Sequence, residues 1–136
     1  MSIARILTFN AEGLQRGWFE GREEAVRRAL ACSPADLLCL QEVTVRHDPF
    51  YDQPRRIADM AGLGYVAFAA YGDPERLEKP EQSGLAIASR WPLRRVRNRR
   101  LPYGEHAPPD GRVVLHATVI APDGDLDVVT THLAWR

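Results

Sequence analysis

The stretch Asp36-Leu37-Leu38-Cys39-Leu40-Gln41-Glu42-Val43 decides how the chain is read. Its apolar run, Leu37 to Leu40, stops abruptly at Gln41-Glu42. A short apolar run fenced by polar residues predicts a strand buried on both faces. Sheets built from such strands bind ligands just beyond the strands' carboxyl ends. Glu42 therefore arrives as a carboxylate at the end of an apolar sheet, and the question is what else arrives there.

Toward the N-terminus, residues 3–9 read as a strand with apolar character on both faces, running into the turn-rich stretch 10–14. Residues 19–32 read as a helix with Val26, Ala29 and Leu30 on one face. Glu20, Glu23 and Glu24 precede Arg27 and Arg28, an order that suits both the helix dipole and pairs four residues apart. Ser33-Pro34 ends the helix. Strand, helix and strand in succession predict a right-handed crossover between parallel strands. Asn10 and Glu42 then emerge at the same end of one sheet.

Toward the C-terminus, residues 45–52 read as a loop and Pro54 as the opening of a helix over residues 55–61, with Ile57, Met60 and Ala61 inward and Gly62 as its stop. Residues 64–70 and 83–90 read as strands pairing in a long hairpin across the polar loop 72–82. Six arginines then fall between Arg90 and Arg100, beside Trp91. Their ordinary reading is a solvated strand edge; the alternative is a run that holds a polyphosphate backbone. After a loop at 103–110, residues 112–121 are rich in β-branched side chains and predict a strand. Pro122-Asp123-Gly124-Asp125 is a hairpin turn, and residues 126–131 return to end at His132.

The totals narrow the class. A chain of 136 residues suits one domain. Its 18 basic and 18 acidic residues leave no global field to steer polyanions. Cys32 and Cys39 make no metal-type pair, and Cys39 falls inside the apolar run, which predicts a buried free thiol and a reducing compartment. With no signal-peptide pattern and no run long enough to cross a bilayer, the expected location is the cytoplasm.

Three strand ends deliver three polar groups: Asn10, Glu42 and His132. A carboxylate is a hard ligand for magnesium or manganese. An asparagine offers an oxygen to a metal or an amide donor to a phosphate. A histidine donates to a phosphate oxygen or protonates a leaving group near neutral pH. Singly, each is also what an ordinary solvated or packed residue looks like.

Together they carry a resemblance. Thr8-Phe9-Asn10-Ala11-Glu12-Gly13-Leu14, the run from Asp36 to Glu42, Ser83 through Leu93, and Val128-Val129-Thr130-Thr131-His132-Leu133 resemble successive motifs of the endonuclease/exonuclease/phosphatase (DNase I-like) superfamily, in the family's order. The resemblance implies a four-layered α/β sandwich, of which this chain would supply roughly the first half as one mixed sheet with flanking helices. It implies divalent-metal-dependent hydrolysis of a phosphoester by an activated water, with magnesium as the expected ion and manganese as the alternative. Glu42 then resembles the metal-binding glutamate, Asn10 the asparagine that helps position metal and phosphate, and Glu12 an acidic residue some members carry near the metal. His132 resembles the histidine that bonds the scissile phosphate and assists the leaving group. Arg112 resembles a basic residue that opens this strand near the substrate. The expected partner is a phosphoester, with nucleic acid among the candidates.

The resemblance also breaks. The family's later Gly-Asp-x-Asn and Ser-Asp-His motifs have no counterpart in residues 1–136. Groups that clamp one phosphate act as a unit and fail together, so the expectation is a partial domain, inactive by itself, from a truncated record. A lone sheet would also expose a wide apolar face. The competing expectation is therefore a non-catalytic module that associates through that face.

Overall fold

The computed structural model describes residues 3–12, 21–47, 50–72, 81–102 and 111–133. In chain order these hold β1 (Ile6–Asn10), α1 (Glu23–Cys32), β2 (Leu37–His47), β3 (Phe50–Asp52), α2 (Gln53–Met60), β4 (Tyr65–Ala70), β5 (Glu81–Ser89), β6 (Leu93–Arg100), β7 (Val113–Ala121) and β8 (Gly124–Thr131). Residues 13–20, most of the 72–82 loop and the 103–110 loop lie outside the described residues.

The strands form two sheets. The larger runs β1-β2-β5-β4, with β3 paired to β2, and the smaller runs β6-β7-β8. β1 and β2 are parallel, as the crossover predicts, with Asn10 opposite Gln41. β4 and β5 pair antiparallel across the polar loop, as expected of a hairpin. Side-chain alternation along β2 divides its apolar run between two cores. Leu38 and Leu40 pack on the helix side with Leu30, Ile57, Ala58 and Leu63. Leu37 and Cys39 face the other way, with Leu85 and Ile87, onto Val113, Leu115, Ala117, Val119 and Val128 of the smaller sheet. The layers are therefore helices, sheet, sheet. Three of the four layers implied by the resemblance are present among the described residues.

This arrangement corrects several expectations. One mixed sheet was expected, and the C-terminal strands form a second, antiparallel one. That second sheet covers the inner face of the first, so the open apolar face is not there: Leu37, Leu85, Ile87, Leu115 and Val119 are fully buried. Within the segment 45–52 expected as a loop, residues 45–47 and 50–52 are strand. Val43-Thr44-Val45 continue β2, and Phe50–Asp52 folds back on it with Val45 opposite Asp52.

In α1, Val26 and Leu30 turn inward while Ala29 is exposed. No base occupies the helix's last turn, so Arg27 and Arg28 act through Glu23 and Glu24, each 3.7 Å away in the four-residue pairs. Glu23 is more than part of a solvated face: both its oxygens accept from Arg56 Nη2 of α2, at 2.8 and 2.9 Å. In α2, Asp52 caps the Arg55 N–H at 2.9 Å, Pro54 sits in the first turn, and Gly62 takes a left-handed φ of 68° just beyond the helix.

The arginine-rich segment is β6, the exposed edge of the smaller sheet. Arg94 pairs with Asp125, and on the same outer face Asp127 accepts from Thr118 at 2.8 Å and contacts His116 Nε2 at 3.0 Å. The Thr118 hydroxyl, then His116, hold the Asp127 carboxyl below its ordinary 3.8.

Two outcomes follow from the packing. An added Cβ at Gly84 would lie 2.1 Å from the Ala69 carbonyl oxygen, backbone that cannot step aside. Gly84→Ala should cost about 3 kcal/mol, read from the urea midpoint. A depressed carboxyl stabilises the fold above its unfolded pKa, and that contribution is lost as pH falls through the folded value. Asp127→Asn should therefore flatten the acid limb of the stability curve below its ordinary 3.8, while leaving the neutral-pH difference nearly constant.

Candidate functional site

Strand direction alone brings the polar ends together. β2 and β4 both pair antiparallel to β5, so they run the same way, as does β1. Asn10, Glu42 and Tyr71 therefore leave the larger sheet at one end. In the smaller sheet β7 and β8 are antiparallel, with Val114 opposite Thr131, so Arg112 before β7 and His132 after β8 are neighbours. Gln41 ties the two sheets at this end. Its Nε2 lies 3.1 Å from Thr8 Oγ1 of β1, 3.2 Å from Thr130 Oγ1 of β8 and 3.2 Å from the Cys39 carbonyl.

Strict alternation would put Glu42 on the helix side of its sheet, two residues after Leu40. A β-bulge prevents this. The β2–β5 register slips between Gln41 and Val43, and Glu42 takes a φ of 54°. The extra residue shifts the phase, so Val43 fills the core place after Leu40. The Glu42 side chain is released toward the smaller sheet, where its Oε1 lies 3.5 Å from His132 Nδ1.

His132 Nδ1 is the centre of a tight cluster. Arg112 Nη1 stands 3.1 Å from it and the Tyr71 hydroxyl 3.4 Å. The Arg112 guanidinium also lies 5.4 Å over the Tyr71 ring, in cation–π range. Arginine only donates, so the shortest of these contacts assigns Nδ1 as the acceptor and leaves the ring proton on Nε2. Glu42 and His132 are each about one-quarter exposed, at 29% and 26% of the side chain, so both remain reachable. Burial raises the Tyr71 phenol above its ordinary 10.0, against the lowering effect of the Glu42 N–H and Arg112, which keeps the hydroxyl protonated.

Asn10 and Glu12 make their own contacts where β1 ends. The Asn10 Oδ1 accepts the Glu12 N–H at 2.8 Å, and Glu12 also has a left-handed φ of 54°. The Glu12 carboxylate is engaged by Arg22. Asn10, Glu12 and Arg22 line a cavity of about 280 Å³ together with Phe9, Ala11 and Val26.

The donor set suits one kind of ion. Among the described residues no group of three or more His, Cys, Asp or Glu could hold a metal, so a closed, zinc-like site does not fit. One carboxylate, Glu42, with an amide oxygen that keeps a free lone pair, Asn10, fits a hard ion that retains most of its waters.

The sequence reading names Asn10, Glu12, Glu42, Arg112 and His132; the structure brings Glu42, Arg112 and His132 into contact and joins Asn10 and Glu12 to each other, on a cavity shared with Arg22. It missed Tyr71, whose only sequence signal is an aromatic placed immediately after the last residue of a strand. It also gave Gln41 no role, although a polar residue ending an apolar strand beside Glu42 was in view.

Comparison with solved structures places the fold. An endonuclease/exonuclease/phosphatase from Beutenbergia cavernae superposes with a TM-score of 0.71 at 27% identity, over 96% of this chain and 38% of that one. The human Nocturnin catalytic domain, solved with a bound sulfate anion, gives 0.70 at 22% identity, over 98% and 50%. The 3′ phosphatase NExo from Neisseria, bound to a product DNA hairpin, gives 0.58 at 25% identity, over 96% and 41%. The chain thus spans about half or less of the length of these structures. Curated proteins give no match. The model of the Endonuclease/Exonuclease/phosphatase family matches residues 7–133, and the chain belongs to that family.

Proposed function

We propose that the chain is part of a divalent-metal-dependent phosphoesterase, whose site lies where the two sheets' strand ends meet. One observation carries this reading. Glu42, Tyr71 and Arg112, delivered by both sheets, all lie within 3.5 Å of one imidazole or stack beside it. Membership of the family and the likeness to NExo, a 3′ phosphatase at 25% identity, support the same chemistry.

In this reading Glu42 and Asn10 hold magnesium or manganese, with Glu12 as a further acidic neighbour. When bound, such an ion neutralises phosphoryl charge and lowers the pKa of water. The chain's own groups do the rest. Arg112 contributes a permanent positive charge to the phosphoryl oxygens. His132, with Nδ1 occupied by Arg112, presents its Nε2–H to a phosphoryl or leaving oxygen. In the same reading Asn10 offers its amide donor to the phosphate, while its oxygen steadies the Glu12 turn. The substrate is a phosphoester, with nucleic acid among the candidates. The alternative of an interaction module pairing through an open sheet face loses its basis, since that face is covered.

Manganese added to the isotope-labelled chain should broaden the amide signals of Asn10, Glu42 and His132 first, and Glu42→Gln should abolish that selectivity. Broadening that is uniform, or that survives the substitution, would exclude Glu42 as the ligand. We also propose that the 136-residue chain alone hydrolyses little or no phosphodiester, because it spans half or less of its matched structures. Magnesium-dependent release of nitrophenol from bis-nitrophenyl phosphate by the purified chain would refute this. In any active longer form, His132→Ala should lower kcat by about 100-fold or more.

A further inference from the structure

The Glu42 bulge has a backbone consequence that points to Tyr71. A residue inserted into a ladder loses its regular partner. The Glu42 N–H instead meets the Tyr71 hydroxyl, 3.4 Å away. Tyr71 is well placed to serve as a fixed support. Its own N–H donates to the Ser83 carbonyl of β5 at 2.8 Å, and the next N–H, of Gly72, donates to the Gly111 carbonyl at 3.2 Å. The second bond joins the exit of β4 to the residue immediately before Arg112. One short segment is thus pinned to both sheets.

The hydroxyl's capacity matches what surrounds it. It has one proton and two lone pairs. A lone pair receives the Glu42 N–H, and the hydroxyl stands 3.4 Å from His132 Nδ1, beside the Arg112 donor that occupies it. The ring below carries the Arg112 guanidinium at 5.4 Å. Three groups of the site therefore touch different parts of one side chain.

We propose that Tyr71 is a positioning residue, whose hydroxyl seats the left-handed Glu42 bulge and whose ring orients Arg112 against His132. Its functional meaning rests on the reading of Glu42 as a metal carboxylate; its geometry does not. Tyr71 itself touches no reacting atom.

The experiment compares the wild-type 136-residue chain with Tyr71→Phe and Glu42→Gln, using isotope-labelled protein. Loss of one hydrogen bond should speed amide exchange at Glu42 by about fivefold, with Leu40 and Val43 unchanged. An unchanged Glu42 rate in a folded Tyr71→Phe variant overturns the proposal. The same variant should need about fivefold more manganese to broaden the Asn10 and Glu42 signals, a shift that a purely structural role would not produce. If Glu42→Gln abolishes selective broadening and Tyr71→Phe leaves it unchanged, Tyr71 does not position the carboxylate. If the wild type shows no selective broadening, the metal reading fails and the exchange rate alone decides the Tyr71 assignment. Should Tyr71→Phe not fold, the wild-type nuclear Overhauser cross-peak between the Glu42 amide proton and the Tyr71 ring decides: its presence supports the contact and its absence overturns it.

Discussion

The site depends on a one-residue slip in β2. With Leu38 and Leu40 facing the helices, regular alternation would drive Glu42 into the same apolar layer. Burying an unpaired carboxylate there costs several kcal/mol. The bulge at Gln41–Val43 resolves the conflict by giving that core place to Val43 and turning Glu42 away. The left-handed backbone this demands of a glutamate costs about 1–2 kcal/mol, less than the burial it avoids. Core packing and site geometry are thus set by the same extra residue.

A carboxylate at the end of one sheet is still only a solvated side chain until something faces it. The facing groups come from the second sheet, so the site exists only because the two inner faces seal against each other. Leu37, Leu85 and Ile87 against Leu115, Ala117 and Val119 make that seal a full apolar layer. Gln41, bonded to Thr8 and Thr130, is the polar stitch where the seal meets the site. Helices cover the far side of the larger sheet and contribute Arg22 as the partner of Glu12. Among the described residues this cluster is held by strand ends, which favours the close placement that phosphoryl chemistry requires.

How much of this was legible follows from where the information sits. Apolar runs and turn residues are local signals, and they marked β1, β2, β5, β7, β8 and the Asp123-Gly124 hairpin. The parallel β1–β2 pair followed from crossover geometry, and so did Asn10 at the same end of the sheet as Glu42. The second sheet was missed because pairing is non-local: nothing in residues 112–131 says whether the strands join the first sheet or stack upon it. The 45–52 segment was misread because polar Arg46, His47 and Asp48 hide a β-branched alternation that restarts after the bulge. Tyr71 was missed because its role lies in contacts with residues 29 and 61 positions away in the chain. Asn10, Glu42 and His132 were legible singly only as ordinary strand-end groups; order and resemblance, not spacing, joined them.

Local rules are broken most densely at this end of the molecule. Glu12, Glu42 and Arg95 are the non-glycine residues with positive φ among the described residues, and Glu12 and Glu42 follow directly on β1 and on the apolar run of β2. The Arg112 Nε–H is buried without a hydrogen-bond partner among the described residues, which costs about 1–3 kcal/mol. His132 Nδ1 faces a donor at 3.1 Å and a carboxylate at 3.5 Å, and its single lone pair cannot suit both. Each of these features carries a local cost. A stable sandwich would relieve each of them with a glycine, an apolar side chain or a plain ladder pair. Strain, an unmet donor and a contested acceptor persist together where the surrounding sheets are rigid enough to hold them. That coincidence is the physical argument for function at the strand ends, and it stands apart from any family likeness.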